Sequence, residues 1–400
     1  MAWVEQRGMK FRVRLRMTDG TVTTDSTHDR RADAVIRAKE IDVEVARDTF
    51  IDPRGGRIPL AEWVLIWEST HQASPATWAA YRSHLRLHIL PTLGPLPLVD
   101  IRRQHIKTLA VALGKRLAPR SVADVIMVLS MVLQEAVEDR RIPFNPCRGI
   151  RIPKGIRAER PHATAEQVAA IVARQTRPSD GLMILTAAYT GMRWGELAGL
   201  HRDNLDLTLG SIYVHPDTGA LHEVEGKLYL GPPKTNDSVR HIRLPRFLTN
   251  LLATHLAEHP HDTVFPGARG YHQRRSNFNR RAWTPAVEGD PKREIPPILP
   301  GMHFHDLRHT HKTWLIEDGI PEIAQSRRLG HRLAGVWGIY SHVTEPMIND
   351  LTDALQRRWE TTQPDGPDTS SAGCDLSPDR PDRLSAEPSG RRSPSALPVR

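Results

Sequence analysis

The ten residues from Met302 to His311 hold His303, His305, Arg308, His309 and His311, and the chain then runs through Leu329-Gly330-His331 to Tyr340, flanked by Ile339 and Ser341. No other stretch restricts the fold as tightly. Imidazole and guanidinium groups at this density cannot fill a core, so the segment has to line a surface that the rest of the chain supports. The chemistry such a surface suits is that of a phosphate diester. It needs cations to hold the non-bridging oxygens, a group that manages protons near neutral pH, and a nucleophile. Arginine, histidine and tyrosine supply these in turn.

A chain of 400 residues exceeds what one hydrophobic core serves, so two or three domains are expected. The formal charge of +9 and the pI near 9.8 point to a polyanionic partner, with nucleic acid well ahead of a membrane surface. Cys147 and Cys374 are the only cysteines; they lie far apart, which argues against a disulfide framework or a thiolate metal site and fits a reducing cytoplasm. No run approaches the ~18 to 20 apolar residues of a membrane span, and Met1-Ala2-Trp3-Val4-Glu5 does not read as a signal peptide. The expectation is a soluble cytoplasmic protein with no membrane association.

Lys10 to Met17 alternates Phe11, Val13, Leu15 and Met17 with Arg12, Arg14 and Arg16, the pattern of a half-buried strand whose outer face is a row of guanidinium groups. Asp19-Gly20 predicts a hairpin turn and Thr21 to Thr24 a returning strand. Arg31 to Thr49 reads as a helix with Ala34, Ile41 and Val45 inward, giving a small sheet backed by one helix over residues 1–55. The arginine row suits a DNA groove; it would also serve as a solvated edge that discourages aggregation. Asp52-Pro53-Arg54-Gly55-Gly56 reads as a linker.

Residues 58–146 read as a helical block. Leu60 to Thr70 carries Trp63, Ile66 and Trp67, and Ser74-Pro75 opens a helix to Ile89 that Pro91 to Pro97 breaks. Asp100 caps a third helix with Ile101, Ile106, Leu109 and Leu113 inward, and Arg120 to Glu138 forms a long amphipathic fourth with Val125, Leu129, Val132 and Val137. Nothing here is catalytic in type. Arg82 and Arg86, with Arg102, Arg103, Lys107, Lys115 and Arg116, give the block a face that fits phosphates, a solvated charged face being the alternative. Arg148 to Arg160, with Lys154, is a basic, proline-interrupted connector suited to lie along DNA.

Beyond it, Thr164 with Glu166 and Gln167 behind it starts a helix, and Asp180 to Tyr189 forms a second, apolar one. Thr190-Gly191-Met192-Arg193-Trp194-Gly195-Glu196-Leu197 turns into another short helix, on which Glu196 shares a face with Arg193 and can orient its guanidinium. Ser211 to Val214, Lys227 to Leu230 and Val239 to Leu244 read as three strands of one sheet, with Lys234 held out in the hairpin turn between the last two. Leu248 to Glu258 and Ser276 to Val287 are helices, and Gly289 to Pro300 is a proline-rich insertion. His305 and Arg308 share a face of a helix that continues to Asp318, and Pro321 to Arg328 and Thr344 to Trp359 are further helices. After Gln363 Pro, Ser, Asp and Arg dominate, the composition of a disordered tail, assigned to 361–400. The fold class expected is α+β, mainly α with small β-sheets.

With these boxes in order the sequence resembles the tyrosine recombinase, or phage-type integrase, family. Arg193 stands in T-G-M-R-W-G-E-L, Lys234 in P-K-T-N-D-S-V-R, His305 and Arg308 in H-D-L-R-H-T, His331 in L-G-H, and Tyr340 at the family's spacing. Each box alone is weak; five in the family's order are specific. The resemblance covers 160–360 for catalysis, while the helical block resembles the family's core-binding, SAM-like domain and the N-terminal sheet its arm-binding domain. It implies that Arg193 and Arg308 clamp the scissile phosphate and stabilise a pentavalent transition state. It further implies that Lys234 protonates the leaving 5′ oxygen, His305 assists proton handling at Tyr340, His331 hydrogen-bonds the phosphate and Glu196 steadies the first arginine and histidine. Tyr340 would attack phosphorus to form a 3′-phosphotyrosine. No cofactor and no metal are implied, since a covalent enzyme intermediate keeps the diester energy for rejoining. The partners implied are duplex DNA at core and arm attachment sites of a phage or other mobile element, further copies in a homotetramer onto which residues 344–359 would dock, and an accessory directionality factor.

Three rival readings are separable. A type IB topoisomerase shares the chemistry but relaxes plasmid without a partner site. A non-catalytic DNA-binding regulator would lose nothing on Tyr340→Phe. A metal hydrolase would carry paired ligands such as H-E-x-x-H or clustered carboxylates, which this sequence lacks.

Overall fold

The computed structural model describes residues 1–17, 20–47, 49–52, 54–153, 155, 159–331 and 342–363. Three separate apolar clusters organise them. In the first, β1 (Ala2–Arg7), β2 (Lys10–Arg16) and β3 (Val22–His28) pair antiparallel in that order, and α1 (Arg31–Ala46) crosses one face. The alternation on β2 does what its period requires: Val13 and Leu15 are buried against Ala34, Ala38 and Ile41. The β1 strand has no counterpart in the sequence pattern, and it changes the meaning of the arginine row. With a partner on each side β2 is central, so the row is an outer face and not an edge. Glu5 lies opposite Arg12 in register and takes an ion pair from Arg14 at 2.9 Å. Val45, expected inward, is 48% exposed, because the last turn of α1 extends past the buried stripe.

The second cluster is helical. It comprises α2 (Leu60–Thr70), α3 (Pro75–His84), α4 (Leu90–Leu93), α5 (Arg103–Gly114) and α6 (Pro119–Glu138), closed over Trp63, Trp67, Ile89, Leu109 and Leu129. Ser74 caps α3 as expected, its side chain accepting from the Thr77 amide. The helix does not stop at Ile89, however. It widens into a π turn over Leu85–Ile89, in which the Leu90 amide reaches back to the Leu85 carbonyl, and continues through Pro91 as α4. Proline has no amide to donate, and the widened turn takes up the interrupted ladder. Asp100 lies in a short 3-10 turn, and Arg102, not Asp100, precedes α5, with His105 Nδ1 accepting its amide at 3.1 Å. Of the apolar residues on α2, Trp63 and Trp67 are buried and Ile66 is exposed.

The third cluster is the largest. Its helices are α7 (Ala165–Ala173), α8 (Pro178–Thr190) and α9 (Trp194–Ala198), followed beyond the strands by α10 (Arg246–Ala257), α11 (Arg275–Phe278), α12 (Thr284–Glu288), α13 (Asp306–Glu317), α14 (Glu322–Leu329) and α15 (Glu345–Glu360). A second π turn, Asn279–Trp283, joins α11 to α12 just ahead of Pro285. The strands do not form the single sheet expected. β4 (Leu205–Asp206), β5 (Ser211–Val214) and β8 (Arg240–Arg243) make one, whereas β6 (Ala220–Val224) and β7 (Lys227–Gly231) form a hairpin of their own. Lys227 to Leu230 finds its partner in the adjacent strand because that pairing closes only a tight turn. The helix α15 lays its apolar stripe on its own chain: Leu351, Ala354 and Leu355 are buried, and Trp359 stacks on Phe247 at 4.4 Å. Among the described residues no helix is long and apolar enough to cross a membrane.

Candidate active site

Two helix ends create the site. α8 terminates at Gly191, in the left-handed region at φ +65°, where a Cβ would stand 2.6 Å from Leu329 Cδ2 and 2.8 Å from His311 Cδ2. α14 terminates at Gly330, φ +63°, where a Cβ would stand 2.8 Å from the Asp237 carbonyl oxygen. Only glycine meets both demands, an αL cap and a close approach. The two turns bring the 190s, the 230s and the 329–331 segment against the start of α13.

Arg193 follows the first turn as the N-cap of α9, with φ −77° and ψ 156°. It therefore precedes the helix and does not share a helical face with Glu196. The pair is built differently: Glu196, in the first turn, accepts the Arg193 amide on Oε2 at 3.1 Å and its guanidinium on Oε1 at 2.8 Å. Ser238 Oγ takes a second bond from the same guanidinium at 2.8 Å. His305 caps α13 and Arg308 lies in its first turn. Arg308 donates to the carbonyls of Gly191, at 2.5 Å, and Leu329, and lies 2.8 Å from His331 Nε2. An arginine is always a donor, so His331 Nε2 accepts and its proton sits on Nδ1.

A layer of charge lies behind these residues that the sequence pattern does not assign. Arg240 donates to Glu196 Oε2 at 3.0 Å, to the Ser238 carbonyl at 2.7 Å and to the Arg328 carbonyl at 2.6 Å. Arg328 donates to the carbonyls of Arg243 and Tyr189 and to His311 Nε2, all within 2.9 Å. His311, fully buried, must then carry its proton on Nδ1, which it gives to the Ala188 carbonyl at 2.8 Å. Arg240 does stand in the P-K-T-N-D-S-V-R box; what could have flagged it is an arginine falling on the inward phase of a short strand.

Arg193, Arg240 and Arg308 thus surround one carboxylate. Burial raises the Glu196 pKa, but Arg240 and then Arg193 outweigh it and hold the group below its ordinary value. Burial, then the Arg193 charge, pushes Arg308 down to about 9, which leaves it charged at neutral pH. The site carries an uncompensated positive charge and favours an anion.

In front of this layer lies a groove of about 1150 Å³. Arg193, Lys234, His305, Arg308 and His331 all line it, together with Arg160, Arg275 and Ala76 of α3. Lys234 is exposed on the connection from the β6–β7 hairpin to β8, not in a hairpin turn. Partial burial, then Arg308, lowers both His305 and His331 to about 4, so both rings are neutral at pH 7. Both rings stay open to the groove, which makes the neighbouring cations the firmer reason. Tyr340, like Lys154, lies outside the described residues. Arg12, Arg14 and Arg16 are not among the groove's lining residues. Arg82 sits over the Trp78 ring at 5.5 Å and 3.9 Å from Glu225 at the hairpin tip, and Arg86 is exposed beside it. Among the described residues no group of three or more His, Cys, Asp or Glu side chains is arranged to hold a metal ion.

Comparison with known proteins bears on both the helical block and the groove. The phage integrase family matches residues 162–346, and the phage integrase N-terminal SAM-like domain matches residues 60–113. The prophage phiRv2 integrase of Mycobacterium tuberculosis is 26% identical over 329 residues, 76% of this chain and 80% of that protein. The integrase of Mycobacterium phage D29 is 25% identical over 68% of this chain and 72% of its own. Among solved structures, the Tn1549 transposon integrase in complex with a circular intermediate DNA shares the fold with a TM-score of 0.59 at 18% identity, over 74% of this chain and 99% of that one. A lambda integrase dimer bound to a COC' core site gives 0.53 at 18% identity, over 90% of this chain and 96% of that one. Two matches to one family, carried across most of the chain by relatives of comparable extent, leave a single assignment: this chain belongs to the phage integrase family of tyrosine recombinases.

Proposed function

We propose that the groove receives the scissile phosphate of duplex DNA, with Arg193, Lys234, His305, Arg308 and His331 acting on it and Tyr340 as the nucleophile. The chain is a site-specific recombinase of the integrase type, which cleaves and rejoins DNA. The observation that carries the residue roles is the convergence of five basic side chains from four separate sequence boxes on one groove.

Arg193 and Arg308 hold the non-bridging oxygens with donors already fixed by carbonyl and carboxylate partners, so little reorganisation is needed as charge builds on phosphorus. His331 uses Nε2 on Arg308, which leaves Nδ1–H for the phosphate. The Tyr340 oxygen attacks phosphorus and the bond to the 5′ oxygen breaks. The phenol proton passes to His305, which is neutral and can accept it, and Lys234 gives a proton to the departing 5′ oxygen. Attack by a 5′ hydroxyl on the phosphotyrosine reverses every step and restores the diester.

The three apolar clusters support three modules: an arm-type DNA-binding sheet over 1–55, a core-binding block over 58–146 and the catalytic domain over 160–360. Two DNA-binding modules on one chain raise the effective concentration of the second site. A homotetramer on two duplexes, an accessory directionality factor and a cytoplasmic setting belong to the same reading; the lambda integrase tetramer on a Holliday junction, similar in fold at a TM-score of 0.52, supports the first.

The test uses DNA ends captured by the wild-type protein and rebuilt as a nicked suicide duplex. Tyr340→Phe is expected to abolish the covalent adduct on a denaturing gel while site-specific binding persists. An adduct that survives the substitution would sink the assignment.

A further inference from the structure

We infer that Arg240 is a positioning residue for DNA cleavage, acting through Glu196 and the 328–330 turn to aim Arg193 and Arg308 at the phosphate. The inference rests on the groove being the cleavage site. The Arg240 side chain is 0% exposed, so it cannot touch DNA. It still binds every segment that carries the clamp. Its three nitrogens go to Glu196, which tethers Arg193; to the Ser238 carbonyl, beside the hydroxyl that also tethers Arg193; and to the Arg328 carbonyl, one residue before the Leu329 carbonyl that receives Arg308.

A purely structural reading of this residue is weak on energetic grounds. A buried ion pair loses solvation that the mutual attraction only partly recovers, and apolar replacements of equal volume are often as stable or better. What an apolar residue cannot do is keep Glu196 ionised. The carboxylate is 1% exposed and faces three charges: Arg193 at the start of its own helix, Arg240 on β8 and Arg308 on α13. The Ser238 hydroxyl, itself bonded to the Thr235 hydroxyl, shares the Arg193 guanidinium with the carboxylate. Without Arg240 the burial cost of the anion is opposed mainly by Arg193, a cation that the groove also needs for the phosphate. A protonated Glu196 would turn one acceptor oxygen into a donor and release its hold on Arg193.

The sign of the pH effect follows. Glu196 is lowered in the folded protein, so its tether is present above its pKa and lost as pH falls through it. Removing Arg240 raises that pKa, and the acid limb of the cleavage rate moves to higher pH.

The experiment is single-turnover adduct formation by the full chain on the captured duplex, across pH, for wild type, Arg240→Gln, Arg240→Lys, Glu196→Gln and the Glu196→Gln/Arg240→Gln double variant. Arg240→Gln is expected to slow cleavage at pH 7 by roughly tenfold to a hundredfold, less than losing a phosphate donor outright. DNA affinity is expected to stay within about twofold. The rate should recover as pH rises, Arg240→Lys should restore part of it, and the double variant should match Glu196→Gln alone. Equal losses with and without the carboxylate, with an unmoved pH profile, would overturn the inference. If Arg240→Gln does not fold, Arg240→Lys carries the test: a wild-type acid limb there overturns it and a shifted one supports it. An adduct persisting in Tyr340→Phe would instead remove the nucleophile assignment, leaving the coupling between Arg240 and Glu196 to be read from that adduct.

Discussion

On β2, Arg12, Arg14 and Arg16 stand on the face turned away from α1, and the one ion pair found on this row among the described residues is that of Arg14 with Glu5, whose side chains are 26% and 47% exposed. At and behind the groove, Arg240, Arg308 and Arg328 are each no more than 6% exposed and give most of their donors to backbone carbonyls. A guanidinium in water keeps its rotamer freedom, and its ion pairs are worth about 1 kcal/mol or less. Enclosed by carbonyls, the same group has one orientation and a field that solvent does not screen. The first arrangement suits attraction to a polyanion at many registers, and the second suits one phosphate in one place.

The difference is tested most severely at Arg308. Arg308→Lys keeps the charge but loses the planar fork that reaches the Gly191 and Leu329 carbonyls together. Cleavage is expected to fall about 100- to 1000-fold with DNA binding little altered. A loss below about tenfold would mean that charge alone is what the site uses.

His311 sharpens the comparison through stability. Burial, then Arg328, holds its pKa well below 6.5 in the folded protein, so the unfolded chain binds a proton that the folded one does not. Folding stability should therefore decline as pH drops below about 6.5, by up to ~1.4 kcal/mol per pH unit for this one proton. His311→Gln, which can still accept from Arg328 and donate to Ala188, should flatten the slope by that amount in urea unfolding between about pH 5 and 7. An unchanged slope would show that the buried web carries no such penalty.

The smallest effect is expected on β2. Replacing Arg12, Arg14 and Arg16 by Gln should weaken duplex binding and reduce the slope of log K against log salt by about 0.9 for each phosphate no longer neutralised. Arg14 should contribute least because Glu5 already occupies it. The cleavage rate of bound DNA should not change; if it falls in step with affinity, the two sets of arginines are not separate in function.

Local patterns were legible along the whole chain. The Phe11 to Met17 alternation, the Thr164 cap with Gln167 and the apolar stripe of α6 each depend on residues within a few positions, where sterics and burial period act directly. The pairing of β6 with β7 was hidden because Ala220 to Val224 has no strong alternation, and the π turns before Pro91 and Pro285 because a proline ordinarily marks an end. Arg328 looked like any other arginine and Arg240 was marked only by the inward phase of its short strand, since sequence does not record who receives a buried side chain's protons.

By itself the sequence determined which side chains were available to hold a phosphate and their order along the chain, but not that Arg308 and His311 of the Met302 to His311 stretch would be buried. The tertiary structure alone decided what each guanidinium faces. A hydrogen bond depends on where its acceptor lies to within a fraction of an ångström, and those that hold Arg308 are carbonyls of two left-handed glycine turns, at Gly191 and Gly330, that meet only when distant helices have packed.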